Sequence, residues 1–246
     1  MKLTIKAESL EAPLKAIKGV IGEINIQTTD EGLLVKSRNK ENCAAVIYKV
    51  SKTLFTEYIP SKEGIGVKLE SQTVSKQKFP GLYDIIKSAK KGSLITIEED
   101  KGKLIILVNG REYGMGILTD VKGEKLGGPE IDYPTVINMD TAKLSEIIED
   151  GFLDAEESLL FSYDEGNLSI FYEQGINTLR DKIEVSEVVT DKKARSKYSV
   201  AYLRNMVSTI TDKVRVSFGD DFMLRLDYIS PEFELSFILA CRVENT

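Results

Sequence analysis

Apolar residues along this chain follow two periods in turn. Residues 3–7 alternate apolar and polar and predict a strand. From about 11 to 22, Leu14, Ile17, Val20 and Ile21 recur at helical spacing. Pro13 lies in the first turn, where its missing N–H is harmless. Residues 24–27 and 33–36 then alternate on either side of Thr-Thr-Asp-Glu-Gly, which predicts a hairpin. Strands are expected over 43–50 and 66–69. A second helix is predicted over about 80–91, with Leu82, Ile85, Ile86 and Ala89 as its stripe and Gly92 as its stop. Strands at 93–99 and 103–109 flank an Asp-Lys-Gly turn, and 112–119 closes the first half.

The second half repeats this order. A strand at 135–139 leads into a helix from 141 to about 152, striped by Leu144, Ile147 and Ile148. A hairpin follows at SLLFSY-DEG-NLSIFY, then a strand over 176–185. A helix over 198–210 turns Leu203, Met206, Val207 and Ile210 inward. A hairpin at 213–228 and a strand at 233–243 end the chain. Helix followed by hairpin therefore occurs four times. Asp30-Glu31-Gly32 and Asp164-Glu165-Gly166 stand at matching turns, at similar distances from the preceding helix starts (Ser9 and Thr141). Asp-Gly turns are common, so the tripeptide alone proves little. The order of elements is the stronger sign of duplication. Three glycines, two prolines and alternating charge mark 119–134, TDVKGEKLGGPEIDYP, as a linker between domains 1–118 and 135–246. The fold class expected is α+β, built from two similar domains.

Composition narrows the chemistry. The chain has 246 residues, 42% hydrophobic and 29% charged, as in a globular protein. No run approaches the ~18 apolar residues of a membrane helix. The N-terminus shows no signal-peptide pattern, so an intracellular protein is expected. Cys43 and Cys241 make neither a disulfide framework nor a metal cluster. Histidine is absent, which removes Ser-His-Asp and Cys-His catalysis and the commonest metal ligand. Phosphate-binding glycine motifs are absent too. No enzyme, cofactor or metal is expected. The one carboxylate pair of note, Asp220-Asp221, reads more simply as a hairpin turn. A net charge of −6 argues against nucleic acid unless the basic residues are segregated.

Several segments resemble the archaeal and eukaryotic DNA sliding clamps, the proliferating cell nuclear antigen family. They are EKLGGPEIDYP followed by INMDTAKLSEIIED, the YSVAYLRNMV helix, ELSFILACRV near the end, and TLFTEY at 53–58. The resemblance spans nearly the whole chain. It implies two helices packed on β-sheets in each domain, three subunits in a ring, helices facing duplex DNA, and a clamp loader. Polymerase, flap endonuclease and ligase would dock through short aromatic motifs. A clamp must hold DNA without reading it, so its contacts go to phosphates.

On the polar faces of the predicted helices stand Lys15, Lys18, Lys87, Lys90, Lys91, Lys143 and Arg204, seven basic residues against five acidic. Lys18 and Lys87 match family positions that face DNA. Glu146 and Glu149 stand where the family often has arginine. That suggests a weak grip, or a subunit of a mixed ring. By resemblance the partner pocket uses Asn42, Cys43, Ala45, Leu126, Gly128, Pro129, Tyr133, Phe222, Ile238, Leu239, Ala240 and Cys241. Gly128 replaces an aliphatic residue, and Cys241 a proline, so a shallower floor and a looser tail are expected. The subunit interface would pair edge strands over 111–118 and 177–183, with Arg111, Glu112, Tyr113, Met115, Thr178, Leu179, Arg180, Asp181 and Lys182 across it. Residues 70–79 exceed the family's usual length; an extended loop or extra helical turn is expected there.

Overall fold

In the computed structural model, residues 1–74, 76–121, 131–149, 157–174, 177–207 and 213–243 are described. The chain divides into two compact units. The first comprises 1–40, 46–126 and 231–235; the second comprises 41–45, 127–230 and 236–246.

The first half of the chain contains β1 (Lys2–Lys6), α1 (Glu8–Val20), β2 (Glu23–Thr28), β3 (Gly32–Arg38), β4 (Ala44–Ser51), β5 (Glu57–Ile59), β6 (Ile65–Lys68), β7 (Gln72–Val74), β8 (Gln77–Phe79), α2 (Leu82–Lys87), β9 (Leu94–Asp100), β10 (Lys103–Val108) and β11 (Arg111–Gly116). The second contains β12 (Thr135–Asp140), α3 (Thr141–Ile148), β13 (Ser158–Asp164), β14 (Asn167–Gln174), β15 (Asn177–Ile183), β16 (Glu187–Asp191), β17 (Ala194–Ser199), α4 (Val200–Val207), β18 (Lys213–Phe218), β19 (Leu224–Ile229) and β20 (Phe233–Leu239).

Strand order exposes the duplication. In the first unit β11-β10-β9-β1-β5 forms one sheet, and the order β4-β3-β2-β6 recurs in another. The second unit has β20-β19-β18-β12-β16 and β15-β14-β13-β17. Position for position these orders match once the β7–β8 excursion is set aside. The sheets are antiparallel, with alternating burial along the strands. Each helix pair packs together, α1 on α2 and α3 on α4. Leu10, Leu14 and Ile17 of α1 are buried, as are Leu82, Ile85 and Ile86 of α2. Leu144 and Ile148 of α3 and Leu203 and Met206 of α4 do the same in the second unit. Burying such stripes at ~25 cal/mol per Å² is what holds these short helices, which are too short to persist alone.

The structure departs from the sequence reading in several places. The helix expected over 80–91 ends at Lys87, because Asn109 takes over its last turn. The Asn109 side chain donates to the Ser88 carbonyl at 2.9 Å and accepts from the Lys90 N–H at 3.1 Å. Tyr198 and Ser199 belong to β17, so α4 starts at Val200. Strands β5, β16 and β17 were not expected. The excursion at 70–79 is a two-stranded hairpin rather than a loop or helical turn.

The two Asp-Glu-Gly turns join β2 to β3 and β13 to β14, at equivalent places, and both glycines have a positive φ (148° and 79°), but only Gly32 is also closely approached by another strand. At Gly32 a Cβ would stand 2.0 Å from the Val50 carbonyl oxygen. At Gly166 space is open, and the requirement is the left-handed backbone it shares with Glu165 (φ 79° and 48°).

Candidate functional site

Three surfaces carry the expected site residues. The first is the outer face of the helices. Lys15 is exposed on α1. Lys18 is half-buried, its ammonium 3.6 Å from Glu70 and 4.9 Å from the centre of the Tyr83 ring. Lys87 is exposed at the end of α2. Lys90 and Lys91 are exposed too, but they lie in the turn beyond the helix rather than on its face. On α3, Lys143 is exposed and pairs with Glu146 at 3.4 Å, one turn along. Glu149 is exposed beside them. Arg204 is not a plain outward cation: its Nε donates to the Ile148 carbonyl at the end of α3 at 3.1 Å. That bond satisfies a helix-terminal carbonyl and turns part of the guanidinium inward. The α1–α2 pair therefore presents Lys15 and Lys87 outward beside an exposed Glu11, with Lys18 paired to Glu70, whereas both cations of the α3–α4 pair, Lys143 and Arg204, are engaged.

The second surface lies in the second unit, around Tyr133 and the end of β20. Tyr133 is buried and meets Phe222 edge-on, ring centres 5.7 Å apart at 74°. Burial pushes its phenol up to about 12, and its hydroxyl has no hydrogen-bond partner among the described residues. Phe222 is fixed through its carbonyl, which accepts from Tyr198 at 2.8 Å and Ser196 at 3.2 Å. The tail is also tied down. Ala240 N–H donates to the Cys43 carbonyl, and Arg242 N–H to the Lys197 carbonyl, both at 2.8 Å. The Cys241 thiol donates to the Asp221 carbonyl at 3.1 Å. The looser tail expected from cysteine in place of proline is not seen, since three bonds over consecutive residues replace the rigid ring. Leu239 and Ala45 are buried, Cys43, Ile238 and Cys241 half-buried, and Asn42 and Ala240 exposed. Asn42 adopts a left-handed φ of 56° as the chain turns toward β4. Leu126, Gly128 and Pro129 lie outside the described residues. Asp220 and Asp221 form the β18–β19 turn, and the Asp220 carboxylate accepts from the Arg195 N–H at 2.7 Å. That bond gives the carboxylate a structural job.

The third surface is a pair of sheet edges. Strand β11 is last in its sheet, paired to β10 from Arg111↔Val108 to Gly116↔Lys103. Arg111 and Glu112 are exposed, Tyr113 is half-buried and Met115 points into the core. The edge is shorter than the expected 111–118. Leu118 instead bridges to Gly66, donating its N–H to the Gly66 carbonyl at 2.9 Å. Strand β15 is last in its sheet, paired to β14. Thr178, Arg180 and Lys182 are exposed, Asp181 is half-buried, and Arg180 lies 4.9 Å over the Phe171 ring. The side chain of Leu179 is outside the description. Both edges expose backbone donors and acceptors, which an isolated protein usually shields.

Sequence reasoning missed Tyr198 and Asp221 as supports of the Tyr133 surface. Tyr198 had been assigned to a helix, and a backbone carbonyl such as that of Asp221 leaves no signal in sequence.

No family model matches the chain. It is 27% identical over 256 aligned residues to the DNA polymerase sliding clamp of Methanothrix thermoacetophila, covering 100% of this chain and 99% of that one. It is likewise 27% identical over 243 residues to the DNA polymerase sliding clamp of Methanothermobacter thermautotrophicus, covering 96% of this chain and 94% of that one. Two solved clamps share its fold. One, from A. fulgidus, was solved with the C-terminal region of FEN-1 bound; it is 22% identical, with a TM-score of 0.83 over 100% of this chain and 99% of that one. The other is a chain of the PCNA2-PCNA3 complex of Sulfolobus tokodaii, 20% identical with a TM-score of 0.81, covering 99% of this chain and 100% of that one. Among the described residues no helix is long and apolar enough to cross a membrane.

Proposed function

We propose that this chain is a subunit of an intracellular DNA sliding clamp. Three subunits close around duplex DNA, tether the replicative polymerase and serve as a docking platform for flap endonuclease and ligase. The observation that carries this reading is the paired open edges, β11 in one unit and β15 in the other, within two units of matching strand order. One edge of each chain adds to the other edge of the next. Such a head-to-tail contact closes into a ring when the rotation permits. Arg111 and Glu112 on one side, with Arg180, Asp181 and Lys182 on the other, allow charges to pair across it.

In this reading 1–118 and 135–246 act as the two domains of a subunit, and 119–134 connects them. DNA meets Lys15, Lys18 and Lys87, with Lys90 and Lys91 close by; Lys143 and Arg204 contribute less. Because the ring is topologically closed, its phosphate contacts can be weak. A clamp loader opens it. The surface of Tyr133, Phe222 and Ile238–Cys241, completed by Leu126, Gly128 and Pro129, receives short peptides with aromatic anchors. No catalytic group is needed for any of these roles.

A second reading is a mixed ring, in which this chain assembles with sister subunits. The acid-balanced face of α3, where Glu146 neutralises Lys143, favours it. Sedimentation equilibrium distinguishes the two. A species of three times the 27.4 kDa chain mass supports the homotrimer. A chain that trimerises only with sisters supports the mixed ring, and a monomer under both conditions rejects ring formation. Polymerase processivity on a primed circle, with loader, then tests the tethering role; no gain over polymerase alone rejects it.

A further inference from the structure

Between β6 and α2 the chain makes an excursion that the duplicated fold does not require, since β17 and α4 follow one another directly. Its root is pinned. Leu69 is buried; its N–H donates to the Gly22 carbonyl at 2.9 Å, and its carbonyl accepts from the Tyr83 N–H at 3.1 Å. The chain returns at Gly81, where a Cβ would stand 2.3 Å from the Leu69 carbonyl oxygen. Only glycine lets the two legs come that close. They therefore meet where α1 ends and α2 begins. Beyond the root, Gln72 pairs with Phe79, Thr73 with Lys78 and Val74 with Gln77, and Lys76 takes a left-handed φ of 68° near the turn. Thr73 and residues 76–80 are exposed.

The charge of this hairpin has one sign. Residues 71–80, SQTVSKQKFP, contain two lysines and no acid. The nearest acid, Glu70, faces Lys18 of α1 at 3.6 Å. The hairpin root thus adjoins Lys18 on α1, and its exposed outer part carries Lys76 and Lys78. Thr73 and Gln77 add neutral donors. Such a set suits phosphate oxygens, which it can bind without reading bases.

We propose that β7–β8 is a second contact with the phosphate backbone of duplex DNA, extending the grip of the α1–α2 face. This rests on the sliding-clamp reading. Full-length chain is titrated with a short duplex over a range of salt, as wild type, as Lys76→Ala with Lys78→Ala, and as Lys18→Ala with Lys87→Ala. The hairpin variant is expected to lower the slope of log affinity against log salt by about two, since each neutralised phosphate contributes about 0.9. Its thermal unfolding should match wild type, because both lysines are exposed. In the wild type, the amide resonances of Gln77 and Lys78 should shift on adding duplex. Should the hairpin variant keep the wild-type slope while the helix variant loses it, the hairpin proposal falls and the clamp reading stands. Should both variants keep it, both fall. Unchanged DNA binding with weakened loader binding would overturn the proposal in favour of a protein partner.

Discussion

Tyr133 buries its ring and its hydroxyl together, and nothing among the described residues accepts or donates at that oxygen. An unmet buried hydroxyl costs about 1–3 kcal/mol. Tyr133→Phe is therefore expected to leave stability unchanged or raise it by up to about 1 kcal/mol at neutral pH in urea unfolding. A loss above that would mean the hydroxyl has a partner. The same residue sets an alkaline dependence. Its phenol titrates at about 12 in the folded chain, raised by burial, against about 10 unfolded. Stability linked to it is full below pH 10 and is lost as pH rises toward 12. Tyr133→Phe should flatten the fall in stability over that window, measured as urea midpoints at pH 10, 11 and 12. Its neighbours Phe222 and Cys241 show how a surface can be named from sequence while its supports are not: the thiol's acceptor is a carbonyl, and carbonyls carry no residue identity.

At the scale of elements, the Asp-Glu-Gly turns offer a paired test. Gly32→Ala drives a methyl into the Val50 carbonyl, a fixed backbone atom. Gly166→Ala meets open space and suffers only the left-handed penalty of about 1–2 kcal/mol. The first should destabilise markedly more than the second in thermal unfolding, although both replace the same letter in the same tripeptide; equal losses would contradict the close approach at Gly32. Asn109→Ala should cost about 1–3 kcal/mol, because it removes the side chain that satisfies Ser88 and Lys90 and places alanine at φ 53°. Asn109→Gly, tolerating that φ, should recover part of the loss. Strand β19 was legible because its inward residues Leu224, Leu226 and Tyr228 alternate with polar ones, and β10 because Leu104–Val108 is a continuous apolar run between turn residues. Strand β17 was not, since its inward positions are Ala194, Ser196 and Tyr198, and two of those carry no hydrophobic signal. The β5 strand is three residues long, and β16 is a five-residue edge whose two valines, Val188 and Val189, are adjacent and both exposed, too little pattern for any period. Helix ends were overrun for a related reason: α2 is stopped by Asn109, a residue distant in sequence.

For the whole molecule, duplication was the most legible property, because it repeats the order of elements rather than any single residue. The fold makes the repeat physical: two sets of matching strand orders, with β11 last in one sheet and β15 last in another. Charge is less symmetric. Lys15 and Lys87 stand exposed on α1 and α2 and Lys18 lies 3.6 Å from Glu70, while Lys143 pairs with Glu146 and Arg204 is drawn to the Ile148 carbonyl. Lys18→Glu with Lys87→Glu should therefore reduce retention on DNA more than Lys143→Glu with Arg204→Glu does, read as the half-life of loaded protein on a closed circle. Encirclement is the central claim, and it can be tested without a loader. The assembled protein, with sister subunits if it needs them, is incubated with linear duplex biotinylated at both ends. The ends are then capped with streptavidin and the DNA is washed at high salt. A ring that has threaded onto the DNA stays on the capped duplex and leaves the uncapped one. Equal loss from both would contradict encirclement.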